Sequence, residues 1–255
     1  MNTSDISEAI AAARNSRKQT SLDGAVVPAS MEDALAIQRQ VFARFGSRSV
    51  GWKVGATNKA AQDGFKIDGP FHGPIAESGV LEDGASIEKS PCIGACEPEY
   101  AFKMARDFPA DGEAVTLDNA KDAVETVHIA VEVIGRCIAN PDFANGFGVT
   151  MDFGGNAAFV LGKEVPDWRS QNLVDAVVES KVEGAVVATG NGTPVMGDPL
   201  NVIVWLANRL AAEGASLKAG EWVSTGTCTP AIPAEAGKTY TASFAVCGDV
   251  SVRFT

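Results

Sequence analysis

Glu97 and Glu99 stand two positions apart in CEPEYAF (residues 96–102), inside a stretch that otherwise reads as a buried strand. Alternate side chains of a strand share a face. Residues 97–104 therefore set Pro98, Tyr100, Phe102 and Met104 on one side and Glu97, Glu99, Ala101 and Lys103 on the other. An isolated Glu-x-Glu is ordinarily a solvated face, but a third carboxylate changes the reading. In TVHIAVEVIG (126–135), Val127, Ile129, Val131 and Val133 form a β-branched face, and Glu132 sits among apolar neighbours on the opposite one. Burying a lone carboxylate is costly, so such a residue must be paired, protonated or bound to a cation. Three carboxylates on two strands are what a hard divalent ion needs; magnesium leaves its remaining positions to water and substrate. Metal ligation then requires the two strands to be neighbours.

Lys53 lies in GWKVGAT between Trp52 and Val54, with Gly51 and Gly55 close by, where backbone or ligand can approach. It is either an edge lysine reaching water along an apolar stem, or a group that transfers a proton or holds a substrate carboxylate. His72, in the Gly/Pro-rich GPFHGPIAES (69–78), reads as part of a loop over a site. It is a candidate acid/base group, oriented by Glu77. His128 reads as a packed residue. VSTGTCTP (223–230) ends a strand in a hydroxyl-rich turn, where Thr225, Gly226 and Thr227 either donate to a carboxylate or serve the turn alone. TGNGTPVMGDP (189–199) matches no phosphate-binding fingerprint, and Asp198 there reads as a helix cap.

The elements that must position these groups are an N-terminal helical segment (1–48) and a β-rich catalytic part (49–255), expected to form one structural unit. Helices are expected over 4–18 and 30–45, with Ser4 and Ser30 as N-caps and Gly46 as a stop. From Ser49 onward short β-rich runs alternate with glycine, proline and aspartate. Helices interrupt them within 116–124 and across 198–214, and Gly248-Asp249 reads as a hairpin turn. The class is α+β.

The 255 residues carry a formal net charge of -11 and no run of lysine or arginine, which argues against nucleic acid as a partner. An anionic substrate would need a local cation, either a metal or a placed lysine. No apolar stretch long enough to span a membrane and no secretory signal are present, so a cytoplasmic location is expected. Five scattered cysteines, Cys92, Cys96, Cys137, Cys228 and Cys247, suit free thiols, and no histidine cluster completes a zinc site at Cys92 and Cys96.

The ordered series KVG, Glu-x-Glu, VEVIG, GDPLNVIVWLAN and STGT resembles the fumarylacetoacetate hydrolase superfamily, in its branch of 2-keto-4-pentenoate hydratases and 4-oxalocrotonate decarboxylases. The resemblance implies a mixed β-roll with N-terminal and peripheral helices. It also implies magnesium, with manganese as an alternative, held by Glu97, Glu99 and Glu132. Lys53 would act near the substrate, Thr225 and Gly226 would bind its carboxylate end, and Asp152 would be a further substrate-binding residue. The implied substrate is a small anionic 2-oxo acid of aromatic catabolism that chelates the metal, and hydration is the leading reaction. Decarboxylation, carbon–carbon hydrolysis of an acylpyruvate through His72 and Glu77, and a non-catalytic 2-oxo-acid-binding subunit are the alternatives. A homo-oligomer is implied, with a pathway decarboxylase or aldolase as a candidate companion. Three loops depart from the hydratase pattern: Pro70-Phe71-His72-Gly73 for Pro-Asp-aromatic-Gly, DFGGNA (152–157) for Asp-Asn-Ala-Ser, and Gly197-Asp198-Pro199 for Gly-His-Pro.

Overall fold

A computed structural model describes residues 1–255. The strands are β1 (Ser49–Gly55), β2 (Phe71–Ala76), β3 (Val80–Glu82), β4 (Ala85–Ile87), β5 (Ala95–Met104), β6 (Val124–Ile134), β7 (Asn156–Glu164), β8 (Val178–Val182), β9 (Ala185–Gly190), β10 (Trp222–Ser224), β11 (Ile232–Pro233), β12 (Thr239–Phe244) and β13 (Gly248–Phe254). The helices are α1 (Thr3–Ser16), α2 (Met31–Phe45), α3 (Lys59–Phe65), α4 (Leu117–Ala123), α5 (Gly146–Met151) and α6 (Leu200–Ala212).

The larger sheet runs β2-β1-β10-β5-β6-β7-β3, with β11 also paired to β5; the smaller runs β4-β13-β12-β8-β9. Parallel pairs (β1 with β10, β3 with β7, β4 with β13) sit among antiparallel ones, so the sheets are mixed. The α+β, mixed-sheet expectation holds. One face of β5 and β6 supplies Tyr100, Phe102, Met104, Val127, Ile129, Val131 and Val133 to a core shared with β12, β13 and the apolar stripe of α6. That burial holds the two central strands rigid and leaves their other face for the carboxylates.

The N-terminal helices are not a separate body. Ile6, Ile10, Ala34, Ile37 and Val41 pack with Ile138, Phe143, Met151 and Phe153. The buried amide of Gln38 donates to the carbonyls of His72 and Thr150 at 3.0 and 2.6 Å.

Several local expectations change. Asn2, rather than Ser4, caps α1, because its side chain accepts from the Asp5 N–H while Asp5 returns a bond to the Asn2 backbone. Ser30 and Gly46 do bound α2. The β12–β13 hairpin turns at 245–247, with Gly248 already paired to Phe244. Residues 71–76, read as loop, form β2. Pro74 is tolerated there because β2 is an edge strand, and Gly73 is needed because a Cβ would lie 2.1 Å from the Phe153 carbonyl oxygen. All five cysteines are free thiols.

Candidate metal centre

In the β5–β6 register Glu97 faces Glu132 directly and Glu99 faces Ala130, so pleat alternation puts all three carboxylates on one face. One oxygen from each lies within 4.8 Å of the others. Glu99 and Glu132 are fully buried, while Glu97 keeps partial contact with solvent.

Each buried carboxylate is held through one oxygen. Glu99 Oε2 accepts from Ser224 Oγ at 2.5 Å and from the Gly226 N–H at 2.9 Å, and its Oε1 has no partner. Glu132 Oε1 accepts from Asn156 Nδ2 at 2.9 Å. Its Oε2 lies 3.3 Å from Lys53 Nζ, an ion-pair distance without hydrogen-bond alignment. Lys53 reaches this point because β1 pairs with β10, setting it beside Ser224. Its ammonium donates to the Gly154 carbonyl at 2.9 Å.

Electrostatics show what the cluster lacks. Burial and then the neighbouring Glu132 push the Glu97 carboxyl up to about 7. Burial, with Glu132 and Glu97, pushes Glu99 well above the usual carboxylate range. Burial opposes the charge of Lys53, but Glu132, Glu97 and Glu99 outweigh it and raise the ammonium. Three carboxylates against one ammonium leave a charge deficit that a divalent cation cancels. All-oxygen donors, an orphaned buried Oε1 and that deficit together fit a hard divalent ion.

The cluster opens on a cavity of about 260 Å³, lined by Lys53, Glu97, Glu99, Thr57, Asn58, Arg136, Gly226 and Thr227, with Ala56, Ala61, Phe65, Phe71, Ile134 and Val149 as its apolar walls. Phe65 and Phe71 meet edge to face at 5.5 Å between centroids.

Other expected site residues fall elsewhere. His72 pairs with Val54, one position beyond Lys53, so its ring points to the opposite face of the sheet. It stacks edge-on against Trp52 and borders a cleft of about 800 Å³ between α2 and α6. Its Nε2 lies 3.1 Å from Glu213, not from Glu77. Glu77 is exposed and pairs with Arg48. Asp152 is fully buried and spent on the chain itself: Oδ1 accepts from Arg14 Nε and Oδ2 from the Cys137 N–H, both at 2.6 Å. Thr225 Oγ1 donates to the Tyr100 carbonyl at 2.9 Å, and the Gly226 N–H serves Glu99. The turn thus positions a carboxylate of the protein where a substrate carboxylate was expected. Ser224 and Arg136 were missed. Arg136 lies four residues beyond Glu132, past the end of β6 at Ile134, and lines the same cavity.

A family model described as fumarylacetoacetate (FAA) hydrolase C-terminal matches residues 77–255. The 2-hydroxyhexa-2,4-dienoate hydratase of Comamonas testosteroni is 31% identical over 214 residues, 82% of this chain and 80% of that protein. The 2-keto-4-pentenoate hydratase of Burkholderia vietnamiensis is 32% identical over 211 residues, 82% of this chain and 79% of that one. Among solved structures, 4-oxalocrotonate decarboxylase from Pseudomonas putida G7, complexed with magnesium and adipate, superposes with a TM-score of 0.90 at 26% identity, covering 99% of this chain and 97% of that one.

Proposed function

Since the chain belongs to the fumarylacetoacetate hydrolase family, we propose that it is a divalent-metal-dependent lyase adding water to a small 2-oxo or 2-hydroxydienoic acid. The observation that carries this reading is the convergence of Glu97, Glu99 and Glu132 beside the buried ammonium of Lys53, at a cavity lined by Glu97, Glu99 and Lys53.

Glu97, Glu99 and Glu132 would hold magnesium, the ion present in the related decarboxylase, or manganese. When bound, such an ion supplies Lewis acidity toward the carboxylate and 2-oxo oxygens of the substrate. The chain's own groups do the rest. Ser224 and Gly226 fix the rotamer of Glu99, and Asn156 fixes Glu132, leaving their remaining oxygens aimed inward. Lys53 Nζ, held by the Gly154 carbonyl, is the ammonium beside the carboxylates and the group that exchanges a proton with the substrate during tautomerisation. Phe65, Phe71 and Val149 keep bulk water from the carbon chain, so that one added water meets the electrophilic carbon.

Loss of carbon dioxide is a second reading, favoured by the near full-length superposition on a decarboxylase. The same carboxylates and Lys53 would serve it. Acylpyruvate cleavage through His72 and Glu77 has no support in the geometry, since neither residue reaches the cavity. The proposal includes a homo-oligomeric assembly. No helix is long and apolar enough to cross a membrane.

The test is product identification by mass after incubation with 2-hydroxypenta-2,4-dienoate and with 2-oxo-3-hexenedioate, each with magnesium and with chelator. A magnesium-dependent gain of water supports hydration, and a magnesium-dependent loss of carbon dioxide supports the second reading. Product formation undiminished by chelator refutes both.

A further inference from the structure

Arg14 belongs to the last turn of α1 and touches none of the three glutamates, yet its buried guanidinium is committed to one short segment 138 residues away in sequence. Nε donates to Asp152 Oδ1 at 2.6 Å and Nη2 to the Asp152 carbonyl at 2.5 Å, while Nη1 donates to the Asn156 carbonyl at 2.8 Å. The guanidinium carbon also lies 3.9 Å from the centroid of the Phe153 ring. One side chain thus grips both ends of residues 152–156 and the ring between them.

The grip has a conformational reason. Phe153, Gly154 and Gly155 take φ of 57°, 63° and 79°, three successive left-handed residues. Glycine adopts that region freely, but Phe153 is strained there, and such strain persists only where the surroundings over-determine it. Arg14 over the Phe153 ring, with Phe42 and Phe45 meeting it edge-on at 5.3 and 5.4 Å between centroids, supplies that determination.

The turn held in this way carries two bonds that order the carboxylate cluster. The Gly154 carbonyl accepts from Lys53 Nζ, and Asn156 Nδ2 donates to Glu132 Oε1, each at 2.9 Å. Relaxation at Phe153 would displace both partners together. Neutralising the buried Asp152 requires only the bond from Nε; the two bonds to carbonyls at opposite ends of the turn go beyond that need. We infer that Arg14 is a positioning residue of the metal centre, so that the N-terminal helix sets the geometry of Glu132 and Lys53 through the turn at 153–155. This rests on the reading that Glu97, Glu99 and Glu132 hold a divalent ion.

The experiment is calorimetric titration with magnesium of the parent, Asn156→Ala, Arg14→Met/Asp152→Asn, the triple combination and Arg14→Lys, with urea unfolding of each in chelator. Arg14→Met/Asp152→Asn releases the turn without stranding a buried charge. It should stay folded and bind magnesium about 10-fold more weakly, the lower end of the range for partners outside the ligand set. Because the effect runs through Asn156, the triple combination should bind about as Asn156→Ala does. Arg14→Lys keeps a charge beside Asp152 but puts a point charge in place of the planar fork, and should show a similar weakening in a folded protein. Parent-like affinity in either Arg14 variant overturns the inference. A fully additive loss in the triple combination also overturns it, since an arginine that serves only general stability would behave so. If the parent itself does not bind magnesium, the metal reading falls and the inference with it, an outcome distinct from a parent that binds and Arg14 variants that bind equally well.

Discussion

Removing the metal should destabilise the protein most at high pH, and Glu99→Gln should abolish that dependence. Glu97 is pushed up to about 7 by burial and by Glu132, from an ordinary 4.5. Between those values the folded metal-free chain holds a proton more tightly than the unfolded chain does. Its stability therefore falls as pH rises from about 4.5 through about 7. A shift of that size corresponds to roughly 3 kcal/mol, a ceiling because Glu97 keeps some contact with solvent. Magnesium reverses the loss, since it replaces the proton among the carboxylates. At a hundredfold excess over Kd it adds about 2.7 kcal/mol. At about 2–4 °C per kcal/mol for a chain near this size, chelator should lower Tm at pH 8 by about 5–11 °C, and by far less at pH 5.5. Differential scanning calorimetry with magnesium or chelator at both pH values measures this directly. In Glu99→Gln the carbonyl oxygen can still accept from Ser224 and Gly226, but the amide nitrogen replaces the free Oε1 and cannot ligate. The metal-free variant should melt above the metal-free parent at pH 8, because a buried like charge is gone, and magnesium should no longer raise its Tm. A magnesium shift as large at pH 5.5 as at pH 8, or one undiminished in Glu99→Gln, would refute the reasoning.

Asn156→Ala removes the bond that orients Glu132 and should weaken magnesium binding by about 10- to 100-fold without unfolding the chain, as read by calorimetry. Arg14→Met strands the buried Asp152 and should cost about 3–5 kcal/mol in urea unfolding; adding Asp152→Asn should recover much of it. His72→Ala should leave kcat/KM unchanged on whichever substrate the mass assay identifies, because the ring lies across the sheet from Lys53; a large loss of turnover would contradict that placement.

What the sequence by itself determined is local in origin. The strand period of two assigns Glu97, Glu99 and Glu132 each to a face, and the β-branched run at 127–133 marks the opposite face as core, whatever the strands' neighbours. The cap residues Ser30 and Gly46 act within a turn of their own helix, so α2 was legible. The tertiary structure decided everything that depends on which segments meet. It made β5 and β6 neighbours with Glu97 opposite Glu132, and brought β10 beside β5 so that Ser224 and Gly226 serve Glu99. It spent Asp152 on Arg14, distant in sequence, and turned His72 to the far side of the sheet by pairing β2 with β1. Gly73 and Pro74 signal a loop by composition. Only their place on an edge strand, against the Phe153 carbonyl, shows why the chain stays extended there. Residue type and spacing report the chemistry a side chain can do. Its partner is set by strand register, a property of two segments that neither carries alone.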